Sequence, residues 1–560
     1  MLKNPSLNIN PLSPPLRSLQ RPTQAPHAKS KFLAPQPFFM QLFMLCLVLA
    51  VLFQQVPSQA ADIVLGQGMM AGEVSKTSVI LQTRLTQSNQ LINGDLPGNP
   101  GKGRFRISTS PSFGKRDKTT TVIETVELHA LPENDCMLKA RVTGLEPNTL
   151  YYWQCVYVPK GESRNRYSSV CRFKTLAGKE VSQAVSFVVV SGMNYHFFHH
   201  GYYDNPERIG IGFAYSGTDK HLGYPALASI LRLEPDFFIG TGDNVYYDHP
   251  GTISMQSRGI TPPLGGWYGS AKTAAELRRK YHEQFVQQRF IDLFSKVSTY
   301  WQKDDHDYRF DDSDPYMDAA RYREGDGLPS HDLGVRMFLE QLPVADPKAA
   351  RPITFRTYRV NKLLQIWIVE GRDYRSPNNM PDGPDKSLWG AAQKGWLKGT
   401  LLASDATFKI LVSPTPMVGP QGSGETPYWK MDNHLNSKGF KHEGDEFFDW
   451  LVDHQFKSGN FFIVAGDSHW QYHAAHPSGF EEFTCGALVT ANAQVGVFPD
   501  NSETTDPEGM VKHLFHPTQA SGGFLQITVE NSREENPNSI KFVFRNAMGK
   551  ELYSVKKEAR

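Results

Sequence analysis

Apolar runs that end abruptly in polar loops constrain this fold more than any other feature. After residue 183 they read AVSFVVVSGMNY, PDFFIGTGDNVYYD, LLQIWIVEGRDYR, FKILVSPTPMV and NFFIVAGDSHW. Such runs are typical of strands buried on both faces, and helical stretches intervene at 273–296 and 445–458. Three closing segments predict antiparallel strands. The pattern predicts an α/β (α+β) domain over 183–557, with its ligand sites at the strand ends.

Residues 61–178 have a different pattern. Short alternating segments predict strands, among them SVILQTRL, RFRISTS, TTTVIETVEL, MLKARVTGL, LYYWQCVYV and VCRFKTL. Turn residues separate these segments, and VTGLEPNTLYYW places a turn before a Tyr-rich strand, as in immunoglobulin-like and fibronectin-like sandwiches. We therefore predict an immunoglobulin-like β-sandwich in front of the α/β domain.

Residues 1–60 have the pattern of a secretory signal peptide. A basic, Pro-rich leader precedes the 16-residue apolar run FFMQLFMLCLVLAVLF, and Ser58 and Ala60 are small residues suited to cleavage after Ala60. The run is shorter than the ~20 residues of a membrane span, and an uncleaved anchor is the alternative. We expect export to the periplasm, cell envelope or medium, with no membrane span in the mature chain.

The charge of the chain argues against a nucleic-acid partner. The formal net charge is +2, but the leader contains five basic residues and no acidic ones, which leaves −3 on the remainder. This remainder has no basic surplus for a phosphate backbone. The sequence gives no indication of the oligomeric state.

Four cysteines follow the leader: Cys136, Cys155, Cys171 and Cys485. Cys155 and Cys171 lie in segments predicted to form adjacent antiparallel strands. An oxidising compartment allows a disulfide between them, and two free buried thiols are the alternative. There is no CxxC or Cys/His spacing that suits zinc.

Three segments combine carboxylate, imidazole and phenol groups: TGDNVYYD, TYWQKDDHDYRFDD and FFIVAGDSHW. In the first, Gly242 lets the chain turn so that Asp243 leaves the strand. In the second, only alternate members of Asp304–Asp307 can share a strand face. In the third, Asp467 and His469 can face the same side. Each segment alone also fits a surface turn or acidic loop. Together they predict a site for iron, manganese or calcium.

The order of these motifs resembles the PhoD-like alkaline phosphatases of the metallophosphoesterase superfamily. The series is GD-x-x-Y, DDH followed by an acid, R-x-Y-R and GD-x-H, and GLEPNTLYYW and CRFKT in the preceding sandwich are similar to that family's accessory domain. The resemblance covers about 62–555. It implies a metallophosphoesterase-type β-sandwich flanked by helices, and hydrolysis of phosphoric esters.

The resemblance also implies a set of metal ligands. Asp243 would bridge two metals, and Tyr246 and His469 would bind a ferric ion. Asp305 and Asp467 would hold the second metal, which is calcium in the family. Other divalent metals stay open.

Three further residues receive catalytic roles from the resemblance. His306 lies where related enzymes have a histidine near the leaving-group oxygen, so we expect a general acid or phosphate ligand. Arg372 and Arg375 would donate to the non-bridging phosphate oxygens. Pairing with nearby acids such as Glu370 or Asp373 is the alternative for either arginine.

Two positions depart from the family pattern. Gly192 lies where the family has a cysteine that binds iron, so a thiolate is missing. Water, a side chain among Asn194, Tyr195 and His196, or a different metal would have to compensate. Glu370 replaces the usual aspartate before R-x-Y-R. Both changes bear on metal identity more than on the reaction.

Two metals bridged by a carboxylate lower the pKa of a bound water and neutralise charge in the transition state. We therefore expect metal-activated hydroxide to attack phosphomonoesters, with Asp243 essential for the reaction. The alternatives are a phosphodiesterase or phospholipase D-type activity at the same site, a purple acid phosphatase, and a non-catalytic secreted binding protein with a degenerate site. The purple acid phosphatases expect GNHE-like and GHxH-like motifs, which this chain lacks.

Overall fold

The computed structural model describes residues 64–115, 121–201, 212–249, 270–317, 329–422, 430–456, 459–498, 501–532 and 537–560. The predicted signal peptide lies outside these ranges. None of the helices within them combines the length and apolarity that a membrane span needs.

The N-terminal strands form a sandwich, as predicted. One layer contains β1 (Met69–Gly72), β2 (Ser78–Arg84) and β6 (Met137–Thr143); the other contains β3 (Gly101–Ser108), β4 (Val122–Glu124), β5 (Leu128–Ala130), β7 (Leu150–Pro159), β8 (Arg166–Tyr167) and β9 (Cys171–Lys174). Their inward faces share one apolar core, in which the rings of Phe105 and Trp153 pack edge to face at 5.5 Å. The single strand predicted in TTTVIETVEL is wrong, because β4 and β5 pair separately with β3.

Two larger sheets face each other in the rest of the chain. The first includes β1, β2 and β6 of the sandwich. Its other strands are β10 (Val185–Val190), β11 (Phe237–Thr241), β12 (Ser298–Gln302), β20 (Gly523–Glu530), β21 (Ser539–Asn546) and β22 (Glu551–Glu558). The second contains β13 (Arg356–Arg359), β14 (Leu364–Ile368), β15 (Phe408–Ser413), β16 (Phe461–Ala465), β17 (Gln471–Ala475), β18 (Glu481–Cys485) and β19 (Lys512–Phe515). An apolar core contributed by both sheets fills the space between them. β10, β11 and β12 are parallel, as are β14, β15 and β16.

Helices cover the outer faces of these sheets. They are α1 (Tyr195–His200), α2 (Pro225–Arg232), α3 (Ala274–Phe285), α4 (Gln288–Phe294), α5 (His331–Gln341), α6 (Gly390–Leu402) and α7 (Lys441–Asp453). The first five contribute to an apolar core with β10–β12, and the last two contribute to another with β14–β17. The predicted α/β sandwich flanked by helices is confirmed.

The two predicted domains share a sheet. Strand β1 pairs in parallel with β12 at Gly72 and Thr299, which joins the N-terminal strands to the larger sheet in the order β22-β21-β20-β10-β11-β12-β1-β2-β6. The described residues form one compact unit. The boundaries at 61–178 and 183–557 stay predictions.

Cys155 and Cys171, for which the sequence left a disulfide and free thiols open, do not form a disulfide. Both thiols are free and buried, because the strand register pairs Cys171 with Trp153 and Cys155 with Phe105. The alternative of two buried thiols is the observed state. Burial raises the pKa of both thiols to about 12.

A polar network connects the sandwich to α3 and α5, and we call Arg84, Asp95, Asp135, His282 and Gln341 the junction cluster. The two ring nitrogens of His282 lie 2.6 Å from an Asp95 oxygen and 2.7 Å from an Asp135 oxygen. Arg84 and Gln341 also donate to Asp135, at 2.7 and 2.8 Å. Burial opposes the charge of Asp135, but His282 and Arg84 outweigh it, so its pKa is lowered. Each carboxylate oxygen of Asp135 therefore has a partner.

Candidate metal centre

The carboxyl ends of strands from both sheets meet at one place. Thr241 and Gln302 end β11 and β12 side by side, and Gln302 Nε2 donates across to the Val412 carbonyl of the second sheet at 3.1 Å. Thr241 Oγ1 also lies 3.1 Å from the Ser413 carbonyl. These buried contacts hold the ends of β11 and β12 against the end of β15, which pairs with the end of β16 at Ala465. The three polar motifs begin after β11, β12 and β16.

The loops approach so closely that only glycine fits at Gly242. Its φ is +82°, and a Cβ there would lie 2.4 Å from the Asp304 Cβ. Asp243, Asp467 and His469 also have left-handed backbones, with φ of 53°, 60° and 58°. This conformation is unfavourable for residues with a Cβ and concentrates at functional sites. The fold holds these three side chains in place at a local cost.

Three donor atoms of different chemical types converge at the end of β11. Oδ2 of Asp243 lies 2.8 Å from Tyr246 Oη and 2.8 Å from His469 Nε2, and the latter two atoms are 3.0 Å apart. Metal–ligand bonds of about 2.1 Å place neighbouring ligand atoms about 3 Å apart. The triangle therefore has the dimensions of a metal ligand set. It brings together three residues that the sequence predicts as ligands.

The other predicted ligands lie beside this triangle. One group of atoms within 4.8 Å of one another comes from Asp243, Asp305 and His306, and another comes from Asp304, Asp305 and Asp467. We call Asp243, Asp304, Asp305 and Asp467 the strand-end cluster. Asp305 belongs to both groups, so the structure brings all five predicted metal ligands together.

The expectation that only alternate members of Asp304–Asp307 converge is wrong. Asp304, Asp305 and His306 all belong to these groups. Strand β12 ends at Gln302, and the following residues form a turn, so the two-residue alternation of a strand no longer applies. Asp307 holds the turn instead, because its carboxylate accepts from the backbone N–H of Asp304 at 2.6 Å and of Asn244 at 3.1 Å.

The strand-end cluster has more negative charge than its surroundings compensate. Among the described residues, Oδ1 of Asp243 and Oδ2 of Asp304 are buried without a hydrogen-bond partner. Burial raises the pKa of Asp304 to about 8 and that of Asp243 and Asp467 well above the usual range, and neighbouring carboxylates add to each shift. Buried carboxylates with unsatisfied oxygens fit a bound cation. The residues present therefore suit a pair of hard or borderline metal ions.

His306 has a partner on each side of its ring. Its Nδ1 lies 2.8 Å from Asp248 Oδ1, and its Nε2 lies 3.7 Å from Asp311. Burial disfavours the imidazolium, but Asp248, Asp305 and Asp243 outweigh it and raise the pKa of His306. The arrangement fixes the ring and favours its protonated form beside the strand-end cluster.

The two arginines of R-x-Y-R have different surroundings. Arg372 is fully buried and pairs with Asp304 and with Asp432, the latter at 2.8 Å. These acids differ from Glu370 and Asp373, which bind Lys303 at 2.6 and 2.8 Å. Arg375 is also buried.

The guanidinium of Arg375 donates to the Gly371 carbonyl at 2.6 Å and to Asn378 at 3.1 Å. Its Nη2 has no hydrogen-bond partner among the described residues. Arg375 therefore has one guanidinium nitrogen available for a ligand. The nitrogens of Arg372 that face Asp304 are already hydrogen-bonded.

Sequence reasoning missed three residues of this region. Asp312 and Asp432 form a further group with Asp305, and Asn492 donates to Tyr246 Oη at 2.7 Å. Asp312 lies in the acidic stretch after β12, so its composition offered a signal. Asp432 and Asn492 follow no apolar strand, and only the fold brings them to the site.

Comparison with known proteins agrees with this geometry. Residues 187–536 match the PhoD-like phosphatase family, and residues 53–177 match the PhoD-like phosphatase N-terminal domain. The first match covers more than half of the chain. The chain belongs to the PhoD-like phosphatase family. This confirms the resemblance seen in the motifs.

The chain is also similar to individual proteins of known sequence or structure. Alkaline phosphatase D of Bacillus subtilis (strain 168) is 21% identical over 421 residues, which are 72% of this chain and 64% of that protein. The match thus spans slightly less than two thirds of the relative's length. A solved structure of PhoD has a TM-score of 0.65 at 16% identity, covering 88% of this chain and 90% of that one.

The structure of the purple acid phosphatase PPD1 from yellow lupin seeds has a TM-score of 0.51 at 11% identity. It covers 89% of this chain and 74% of that one. At these identities, the structural matches show a shared fold. The expected fold class is confirmed.

Proposed function

We propose that this protein is a secreted, metal-dependent phosphoric ester hydrolase that holds two metal ions at the strand-end cluster. The observation that carries this proposal is the convergence of Asp243, Tyr246 and His469 within 3.0 Å, beside buried carboxylate oxygens that have no partner. The family membership of the chain supports the same reaction.

The ligands divide into two sets that share Asp243. Tyr246 and His469 complete a set of oxygen and nitrogen donors that suits a ferric ion. Asp305 and Asp467 offer carboxylates only, which suit calcium or another hard divalent ion. When bound, the two ions supply Lewis acidity and lower the pKa of a water that attacks phosphorus.

His306 is the proposed proton donor to the leaving-group oxygen. Asp248 holds its Nδ1, which leaves Nε2 directed away from that contact for proton transfer. Asp248 thereby acts as a positioning residue. Loss of the proton donor matters most for poor leaving groups, because these need protonation as the bond to phosphorus breaks.

Arg375 is the better placed of the two arginines to bind a phosphate oxygen. Its Nη2 is a charged donor that has no hydrogen-bond partner among the described residues, and a bound anion would supply one. Arg372 holds Asp304 in the strand-end cluster. A phosphate contact from Arg372 requires it to give up Asp304 or Asp432, and this role stays a prediction.

Metal analysis with an activity assay tests the proposal directly. The purified protein should contain two metal ions per chain and hydrolyse a model phosphomonoester, and a chelator should remove both properties. Asp243→Asn should abolish hydrolysis. Asp405→Asn is the matched control, because the Asp405 side chain is 78% exposed on the surface. Full activity of Asp243→Asn, or of chelated protein, contradicts the proposal.

The colour of the protein tests the identity of the first metal. A tyrosinate bound to ferric iron absorbs in the visible range, so the iron form should be coloured and Tyr246→Phe should be colourless. An active, colourless protein without iron contradicts the ferric assignment and leaves the hydrolase proposal in place.

The preference between monoesters and diesters needs its own comparison. We expect phosphomonoesters to be hydrolysed faster than diesters with the same leaving group. The reverse order identifies the phosphodiesterase or phospholipase D-type alternative at the same metal site. Binding of phosphate esters without any turnover identifies the non-catalytic alternative.

Export is proposed from residues 1–60 alone. Cells that express the full-length chain should export a cleaved protein whose amino terminus is Ala61. A chain that begins at Ala61 should stay in the cytoplasm. Retention of the full-length protein inside the cell contradicts this part of the proposal.

A further inference from the structure

Gly192 does more than leave out a ligand. It has a φ of +62°, and a Cβ at this position would lie 2.7 Å from both the Cα and the Cβ of Ala487. The backbones of the two segments are in contact here, because Leu488 N–H donates to the Ser191 carbonyl at 2.8 Å. Position 192 therefore requires glycine on two counts, its backbone conformation and its space.

In the part of the chain that the structure describes, no cysteine takes the place of the missing side chain. Among the described residues, none of the groups of potential metal ligands contains a cysteine. Cys485, which precedes Ala487 by two positions, is fully buried in the apolar core between the sheets. Asn194 is used elsewhere, because its Oδ1 caps α1 by accepting from Phe197 N–H at 2.9 Å.

Asn492 occupies the space beside Gly192. It ends the short 3₁₀ helix Thr490–Asn492 and is 6% exposed. Its Nδ2 lies 3.3 Å from the point where a Cβ of residue 192 would be, and it donates to Tyr246 Oη at 2.7 Å. Its carboxamide thus contacts the phenol of a proposed metal ligand from the side of Gly192.

We propose that Asn492 is a positioning residue of the metal centre, which holds the Tyr246 oxygen towards Asp243 and His469. It does so at a site where position 192 has no room for a cysteine side chain. This inference rests on the proposed function, since Tyr246 must bind the metal for Asn492 to act through it. A hydrogen bond from a neutral amide to a phenolate is charge-assisted, and partners of this kind orient ligands and tune metal binding.

The test replaces the amide with an apolar side chain of similar volume. Asn492→Leu should weaken retention of ferric ion by about 10–100-fold in a chelator competition. It should also shift the tyrosinate absorption of the iron-loaded protein to longer wavelength, because a phenolate without a donor gives up charge more readily. Gln494→Leu is the matched control two residues away, and both its affinity and its spectrum should equal those of the wild type.

A double-mutant cycle with Tyr246→Phe separates positioning from general packing. If Asn492 acts through the phenol oxygen, Asn492→Leu should change ferric affinity by less than about 2-fold in the Tyr246→Phe background. An equal loss in both backgrounds overturns the proposal, as does an unchanged affinity and spectrum in the single variant. Asn492→Ala, which cannot crowd Gly192, should give the same result if Asn492→Leu fails to fold.

The outcome for the wild type keeps the two proposals apart. Wild-type protein that takes up no metal contradicts the proposed function and, with it, the role of Asn492. Wild-type protein that binds ferric ion, together with an Asn492→Leu variant that is indistinguishable from it, contradicts only the role of Asn492.

Discussion

The junction cluster and the strand-end cluster are both buried groups of charge, but they are balanced differently. In the junction cluster, Asp135 lies between His282 and Arg84, and its pKa is lowered. In the strand-end cluster, the pKa of Asp243 is raised and its Oδ1 has no partner. The comparison teaches that buried carboxylates stabilise a fold when the chain supplies the cations. Where the chain does not, the carboxylates require a ligand.

The largest effect is expected for the strand-end cluster. Asp467→Asn should lower kcat/KM on a phosphomonoester by about 10³-fold, because several kcal/mol of transition-state stabilisation are lost with the metal. The same change should make the metal-free protein more stable to urea, since it removes a charge that the cluster does not compensate. A metal-free variant less stable than the wild type contradicts the contrast between the clusters.

The junction cluster should respond in the opposite way. Asp135→Asn leaves the buried Arg84 guanidinium without its carboxylate partner and should lower the free energy of unfolding by about 3–5 kcal/mol. The exposed Asp405→Asn serves as control and should change it by at most about 1 kcal/mol, because it removes only a surface ion pair with Arg359. Urea unfolding measures both. An Asp135→Asn protein as stable as the control shows that the junction charges are dispensable.

The pH dependence of stability should also differ between the clusters. The pKa of Asp304 is raised to about 8, so the metal-free protein should lose stability as the pH rises from about 4 through 8. The lowered pKa values of Asp95 and Asp135 mean that stability is lost as the pH falls below about 4. Bound metal should abolish the loss of stability between about pH 4 and 8 and leave the loss below pH 4 unchanged. If the free energy of unfolding of the metal-free protein does not change between pH 4 and 8, the charge imbalance inferred for the strand-end cluster is contradicted.

The smallest effect concerns the backbone next to the strand-end cluster. Gly192→Ala should destabilise the metal-free protein by at least about 1–2 kcal/mol, because the left-handed backbone is unfavourable for alanine. Gly395→Ala is the matched control in helix α6, where an added Cβ meets no atom within 4 Å. It should stabilise by about 0.5–1 kcal/mol. Equal stabilities for the two variants show that position 192 does not require glycine.

Most of the fold could be predicted from the sequence because its signals are local. Apolar runs that end in polar residues indicate β10, β11 and β14–β16, and the short alternating segments indicate the N-terminal sandwich. The same strand ends pointed to Asp243 and Asp467, whereas Asp305 came from the family resemblance. The split of β4 from β5 depends on pairing with a distant strand, and here the sequence prediction failed. The strand register that keeps Cys155 apart from Cys171 decided between two alternatives that the sequence left open.

The sequence by itself determined the family and the fold class, and it indicated where Asp243 and Asp467 emerge, since both follow a glycine directly after a buried strand. Only the tertiary structure decided how the charges are balanced. It paired Arg372 with Asp304 and Asp432, and it placed Asn492 between Gly192 and Tyr246. These contacts join segments separated by 60 or more residues, so they depend on the packing of the two sheets.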